Sequence, residues 1–464
     1  MSAEKVISKR ATLIVVIIAS FLTPFMGSSV NIALPSIGNE FKMDAVLLSW
    51  VPTSFILAAV AFLIPFGRVA DIYGRKKIFA IGITVFTFSA FFIGISTSAT
   101  ELILFRVFQG LGSAMVFGTG IAILTSVFPA NERGKALGLN VASVYLGLSL
   151  GPFLGGLFTQ YFGWRSIFFL NIPIGLFIIV LILFKLQEEW SEARGEKFDY
   201  AGSVLYSLSI ILLMYGLSLL PEFTAVWFTG TGILGFLIFV RREKQFKSPL
   251  FDIALFRYNR VFALSSLAAL VIYSGSYGVN FILSLYLQLT KGLSPQDAGL
   301  VLVSQPLVMA VFSPFAGRLS DRIEPRVVAS AGMASTAIGL FLFIFLTENS
   351  SLVFIITGLF LIGFGFALFS SPNTNAIMSS IEKRFYGVAS GTVATVRLMG
   401  QMLSMSIIMV IFGLFIGRMQ ITPDLYQPFL KSAKSVFVIF TALCTGGIFA
   451  SLARGNVRER AEQE

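Results

Sequence analysis

Fourteen apolar stretches, each close to or above the roughly 20 residues that carry a helix across a bilayer, divide the 464-residue chain. They run at about 11–36, 47–67, 77–96, 101–128, 136–161, 165–186, 199–220, 223–240, 261–290, 297–317, 327–346, 351–380, 386–417 and 433–453. Residues of the set AVILMFWYC make up 56% of the chain and charged residues only 12%, against roughly 25% charged in soluble proteins. A chain so poor in polar surface is excluded from being a cytosolic enzyme, a disordered segment or a secreted disulfide scaffold. Histidine is absent and Cys444 is the one cysteine. That removes imidazole zinc sites, His general bases, catalytic triads, disulfides and iron–sulfur clusters. The expected class is an all-α integral membrane protein, not an enzyme, with no metal and no cofactor. The first stretch runs on through Asn31 and Pro35 without a small-residue cleavage site, so it reads as a retained span and not a signal peptide.

The loop charges orient these spans. With both termini placed in the cytoplasm, the outer loops hold only Lys42, Arg165, Lys291, Arg418, Lys431 and Lys434, and Arg106 and Arg397 fall within spans. The other 26 of the 34 Lys and Arg then lie in inner segments, as the positive-inside rule requires of a plasma-membrane protein. The same distribution accounts for the net charge of +11 without nucleic acid as a partner.

An internal repeat organises the chain. Gly67-Arg68-Val69-Ala70-Asp71 closes the second span and Gly317-Arg318-Leu319-Ser320-Asp321 closes the tenth, 250 residues later. The same offset carries the start of span one onto the start of span nine. Residues 1–186 and 261–464 therefore read as two six-helix bundles, pseudo-symmetric around a central cavity, with 187–260 an inserted two-helix hairpin and its flanking loops. Paired six-helix repeats are an arrangement of secondary transporters.

Several clusters stand out against this frame. Gly67, Arg68, Asp71, Gly74, Arg75 and Lys76 make a short inner loop in which Asp71 can accept charge-assisted hydrogen bonds; an ordinary solvated basic loop is the competing reading. Arg106 lies inside span four with Gln109 and Ser113 on the same face, and Arg397 with Gln401 inside span thirteen. Such charges are costly in lipid and mark function by default, although an Arg bonded to helix carbonyls would serve structure alone. Gly147, Gly151 and Gly155 recur every four residues on span five, with Pro152 and Gly156 among them, which suits close helix approach. Tyr273, Ser276, Tyr277, Asn280, Ser284 and Gln288 form one expected polar stripe on span nine, matched on span one by Ser20, Thr23, Gly27 and Asn31. These stripes line a cavity or bond neighbouring helices. Gly230-Thr231-Gly232-Ile233-Leu234-Gly235 spells G-x-G-x-x-G, but it sits within span eight with no strand before it, so a dinucleotide site is excluded. No P-loop sequence occurs, so ATP is not expected as a partner.

The loop from Gly67 to Lys77 resembles the loop 2–3 signature of the major facilitator superfamily. Arg106 to Gly112 resembles that family's span-four motif, and Gly147 to Gly156 its antiporter motif. Asn31-Ile32-Ala33-Leu34-Pro35, Gly163-Trp164-Arg165, Asn171-Ile172-Pro173 and Gly387-Val388-Ala389-Ser390-Gly391 with Arg397 resemble the fourteen-span drug:proton antiporters. The resemblance implies a major facilitator fold and efflux of amphiphilic drugs or small molecules by alternating access. It casts the glycine and charged residues of both inner loops, Gly317, Arg318 and Asp321 included, as a conformational switch. Membrane lipid and a small amphiphile are the implied partners, and protons the implied coupling ion.

One position departs from the pattern. That family usually carries an Asp five residues before the Asn of N-[IV]-A-L-P, where this chain has Met26. All 23 acids fall in loops or termini, so the obvious carrier for a proton, or for a cationic drug, is missing. A dedicated exporter or facilitator of one endogenous metabolite, working without protons, is the second transport reading. A non-transporting receptor or scaffold is the alternative from another class.

Overall fold

The computed structural model describes residues 3–186, 188–245, 253–381 and 386–455. Fourteen of its helices are long and apolar enough to cross a membrane, from Lys9–Phe41 to Pro423–Ala453, and no strand occurs among the described residues. The protein is a multi-pass, all-α membrane protein.

The chain divides into two compact units. Unit 1 comprises residues 1–43, 50–216 and 226–250. Its helices are α1 (Ala3–Phe41), α2 (Ala45–Tyr73), α3 (Arg75–Gly94), α4 (Ala99–Val127), α5 (Ala130–Phe162), α6 (Arg165–Lys185), α7 (Tyr200–Ser218) and α8 (Thr224–Glu243). Unit 2 comprises residues 44–49, 217–225 and 251–464. It holds the short α9 (Ile253–Tyr258), then α10 (Arg260–Ser276), α11 (Gly278–Leu285), α12 (Pro295–Leu302), α13 (Ser304–Arg322), α14 (Pro325–Phe343), α15 (Leu352–Ser379), α16 (Tyr386–Phe415) and α17 (Tyr426–Ala453).

Local sequence explains the helix starts. Ser98 caps α4 by accepting from the Glu101 amide, and Ser351 caps α15 through Phe354. Ser294 caps α12 ahead of Pro295, whose missing N–H costs nothing at a helix start.

Packing inside the units repeats as the 250-residue offset demands. In unit 1, α1 packs on α5 and α3 on α4 and α6; in unit 2, α10 packs on α16 and α14 on α15 and α17. A close glycine crossing recurs in both units, with the second glycine displaced by three residues from the strict offset. A Cβ on Gly82 would lie 2.9 Å from the Gly112 carbonyl, and 250 positions on, a Cβ on Gly332 would lie 2.5 Å from that of Gly365. Only glycine lets two backbones approach this closely in lipid.

Span nine departs from expectation. α10 ends at Ser276 and α11 begins at Gly278, with Tyr277 between them still at helical dihedrals, φ −61° and ψ −44°, so the span runs on through a local break in its hydrogen-bond ladder. The Gly278 N–H donates to Ser404 Oγ of α16 at 3.0 Å, and a side chain entering the ladder breaks it. A π turn follows at Tyr286–Thr290, closed by Lys291 N–H to the Tyr286 carbonyl. It adds a residue to that turn and shifts the register at Gln288.

Candidate functional site

The inner loop of unit 1 is built around Arg75, at the first position of α3. Gly74 precedes it with φ +121°, a conformation that side chains rarely adopt. The turn points the Arg75 side chain back across the mouth of the bundle. Its Nε donates to Asp71 Oδ1 at 2.8 Å, and its Nη2 approaches the same oxygen at 2.7 Å. Nη1 reaches Glu192 Oε1 at 2.7 Å and Ser126 Oγ at 2.8 Å. One guanidinium thus ties the ends of α2, α3 and α4 to the segment that follows α6.

That segment was invisible to motif reading. Residues 189–196 wrap the loop: Lys76 N–H donates to Glu189 Oε1 at 2.8 Å, Arg75 N–H to the Trp190 carbonyl at 2.8 Å, and Ala193 N–H to the Asp71 carbonyl at 3.0 Å. Arg68, expected beside Asp71, turns away and pairs with Glu196 at 2.6 Å. The only sequence signal for these partners was a run of acids, Glu188, Glu189, Glu192 and Glu196, downstream of a basic loop. Arg75 hydrogen bonds to Glu192 and holds its carboxyl below the usual carboxylate range, against the opposing effect of partial burial.

The second copy of the loop lacks this centre. Pro325 stands where the offset would place the counterpart of Arg75 itself. Gly317 and Arg318 lie near the end of α13, and the Asp321 side chain lies outside the described residues.

Within the spans, Arg106 is fully buried in unit 1. Its Nε donates to the Val51 carbonyl at 3.0 Å, Nη1 donates to Gln109 Oε1 at 2.7 Å, and the Phe55 ring lies 4.5 Å away. A helix carbonyl and a π face thus compensate the charge. Gln109 Nε2 and Ser113 Oγ, one turn apart, are buried without hydrogen-bond partners among the described residues. Asn31 and Met26 on α1 are also buried, Met26 completely.

The glycine run is a seam between α5 and α1. Ser29 Oγ donates to the Gly151 carbonyl at 3.0 Å and Ser28 Oγ to that of Gly147 at 3.4 Å. A Cβ on Gly151 would overlap Ser28 Oγ and lie 2.9 Å from the Phe25 carbonyl; one on Gly155 would lie 2.8 Å from Ser29 Cα. Pro152 and Gly156 are buried within the same helix.

In unit 2, the half-buried Arg397 lies 5.0 Å from the ring of Tyr273. Gln288 Nε2 donates to the buried Ser284 Oγ at 3.1 Å. Asn280 Oδ1 is buried without a hydrogen-bond partner among the described residues, and Tyr277 and Gln401 are half-buried. Every Asp and Glu within the described spans lies in a first or last turn. Several basic residues lie deeper: Arg106 and Arg397, Arg68 near the end of α2, and Lys431 and Lys434, which belong to α17 and not to an outer loop.

Comparisons with known proteins agree with this geometry. The family model described as Major Facilitator Superfamily matches residues 16–405 and, again, 265–463, the second match beginning near the repeat boundary. The chain is 32% identical to the riboflavin transporter RibZ of Clostridioides difficile, covering 84% of this chain and 85% of that one. It is 32% identical to the multidrug resistance protein Stp of Mycobacterium tuberculosis, over 82% of this chain and 71% of the relative. The cephamycin export protein CmcT of Amycolatopsis lactamdurans is 32% identical as well, over 88% and 86%. Among solved structures, a bacterial homologue of the human lysosomal transporter Spinster, inward-facing and unoccupied, superposes with a TM-score of 0.70 at 16% identity, over 96% of this chain and 97% of that one.

Proposed function

The chain belongs to the major facilitator superfamily, and on that premise we propose that it is a secondary active exporter of neutral or anionic amphiphilic small molecules, working by alternating access in the plasma membrane with both termini cytoplasmic. The observation that carries the substrate class is the charge inside the spans. Arg106 and Arg397 lie deep, and among the described residues no carboxylate does. A cation brought near them meets like charge at lowered dielectric, where repulsion exceeds its value in water. The unpartnered Gln109 Nε2, Ser113 Oγ and Asn280 Oδ1 support hydrogen-bonding substrates, since a buried group left unmatched costs about 1–3 kcal/mol.

Support for export comes from the α1–α5 seam, whose glycines resemble the antiporter motif, and from relatives named for drug resistance and antibiotic export. The three-part division into 1–186, 187–260 and 261–464 follows from the repeat. A second reading is favoured by the relative named as a riboflavin transporter. Riboflavin is an uncharged planar aromatic, of a shape to stack on Tyr273, so a dedicated carrier of one such metabolite fits the same residues.

Purified protein in sealed vesicles tests both. Size-matched cationic, neutral and anionic dyes, and riboflavin, are offered with and without an imposed pH gradient. Preferred transport of the neutral or anionic dye is expected, and tightest handling of the cation overturns the substrate class. Riboflavin alone being carried selects the second reading. Acceleration by the pH gradient establishes proton coupling; indifference to it excludes such coupling.

A further inference from the structure

Arg454 follows the last residue of α17, on the face that the loop charges assign to the cytoplasm. It is 1% exposed. Nη1 donates to Asn373 Oδ1 at 2.7 Å and to Ser265 Oγ at 3.1 Å, while Asn373 Nδ2 donates to the Ser265 carbonyl at 3.1 Å. Nε and Nη2 are buried with no hydrogen-bond partner among the described residues. These two nitrogens form one edge of the planar guanidinium, the edge that takes two oxygens of a single phosphate or carboxylate in parallel. Burial draws the group down to about 10, with Glu324 acting upward and Arg326 downward, so it stays cationic at neutral pH.

A second feature of unit 2 leads to the same place. An open apolar groove of about 480 Å³ runs between α10 and α17, lined by Leu267, Val271, Leu443, Gly446, Gly447 and Ala450. Gly446, Ala450 and Arg454 recur every four residues, so they follow one face of α17, and Arg454 comes one turn beyond the groove's inner end. The groove has room for hydrocarbon, and two nitrogens of the residue one turn beyond it have no partner among the described residues. Its side chain is closed to water, which favours a ligand arriving along the groove over a free ion arriving from solution.

We propose that an anionic phospholipid of the inner leaflet binds here, with an acyl chain in the groove and phosphate oxygens accepting from the unpaired Nε and Nη2 of Arg454 once the head group displaces the side chains that cover this edge. Basic pockets between helices at the cytoplasmic surface are suited to such headgroups. The bound lipid would bridge α17 to α10, and through Ser265 and Asn373 to α15.

Native mass spectrometry of the purified full chain with phosphatidylglycerol and chain-matched phosphatidylcholine tests this. At least fivefold preferential retention of phosphatidylglycerol is expected. Arg454→Gln should abolish the preference, and Arg454→Lys, which keeps the charge but not the planar edge, should restore only part of it. Gly446→Leu guards against a folding defect, because a side chain there enters open space; it should fill the groove and expel the lipid. Glu324→Gln, which removes a competing carboxylate, should raise retention. Equal retention of the two lipids by the unaltered protein overturns the proposal, as does an unchanged preference in Arg454→Gln or Gly446→Leu. Displacement of the lipid by inorganic phosphate would show a free-anion site instead. Loss of retention in Glu324→Gln would show that carboxylate to be part of the Arg454 site.

Discussion

Asp71→Asn removes one of two carboxylates from a guanidinium that cannot leave its place. Arg75 is only 7% exposed at its side chain, Asp71 33% and Glu192 68%. A hydrogen bond to a charged group contributes about 1.5–3 kcal/mol, and the part-exposure of Asp71 reduces this through solvent screening to about 1–2 kcal/mol. Glu192 still neutralises Arg75, so the much larger cost of an orphaned buried charge is avoided. The helix ends of unit 1 should stay together, and the protein should remain inserted and abundant. What changes is the relative stability of the conformation in which the loop is tied. A bias of about 1.4 kcal/mol is tenfold in an equilibrium, so dye efflux in sealed vesicles should fall about tenfold or more. Glu192→Gln loses a more exposed partner and should cost efflux less. Efflux within twofold of the unaltered protein in Asp71→Asn, at equal membrane abundance, would refute the idea that this network sets the conformational balance.

Three further outcomes follow from the same geometry. Gly151→Leu, or even Gly151→Ala, forces α1 and α5 apart against Ser28 and the Phe25 carbonyl; overpacking of about 1–3 kcal/mol should stop turnover while equilibrium dye binding survives, and sustained turnover would reduce the seam to passive packing. Arg397→Gln should narrow the preference for anionic over cationic dyes in competitive binding, and Met26→Asp should raise cation affinity; an unchanged ranking in both would remove intramembrane charge as its source. Glu192 has a lowered carboxyl pKa in the folded chain, so its pairing contributes stability above the ordinary value of about 4.3 and loses it as pH falls through the lowered one. Thermal stability of the unaltered protein relative to Glu192→Gln should therefore be constant from about pH 8 to 5 and converge below about pH 4; a gap that widens in acid would contradict the pairing.

What the sequence determined by itself were the properties that act along the chain. Hydropathy over some 20 residues marks a span wherever it occurs, so fourteen helices were legible before any packing was known. The 250-residue offset was equally legible, and the Gly82–Gly112 and Gly332–Gly365 crossings show both copies solving one packing problem in one way. The four-residue spacing of Gly147, Gly151 and Gly155 likewise announced a close neighbour, because a helix returns the same face at that interval.

Which neighbour answers a charge was decided only by tertiary structure. Asp71 and Arg68 are three residues apart, yet Arg68 pairs with Glu196 and Asp71 with Arg75, since the chain after α6 returns over the loop with acids of its own. The polar pattern of span nine implied an uninterrupted hydrogen-bond ladder, but Ser404, more than a hundred residues away, supplies an acceptor that diverts the Gly278 N–H from it. Arg454 looked like one more inner-face positive charge, and the convergence of α10, α15 and α17 buried it with three of its five N–H donors unmatched among the described residues. Hydrogen-bond and ion-pair partners depend on distances of about 3 Å between groups far apart in sequence. Local periodicity carries no information about such distances, and they exist only once the helices have packed.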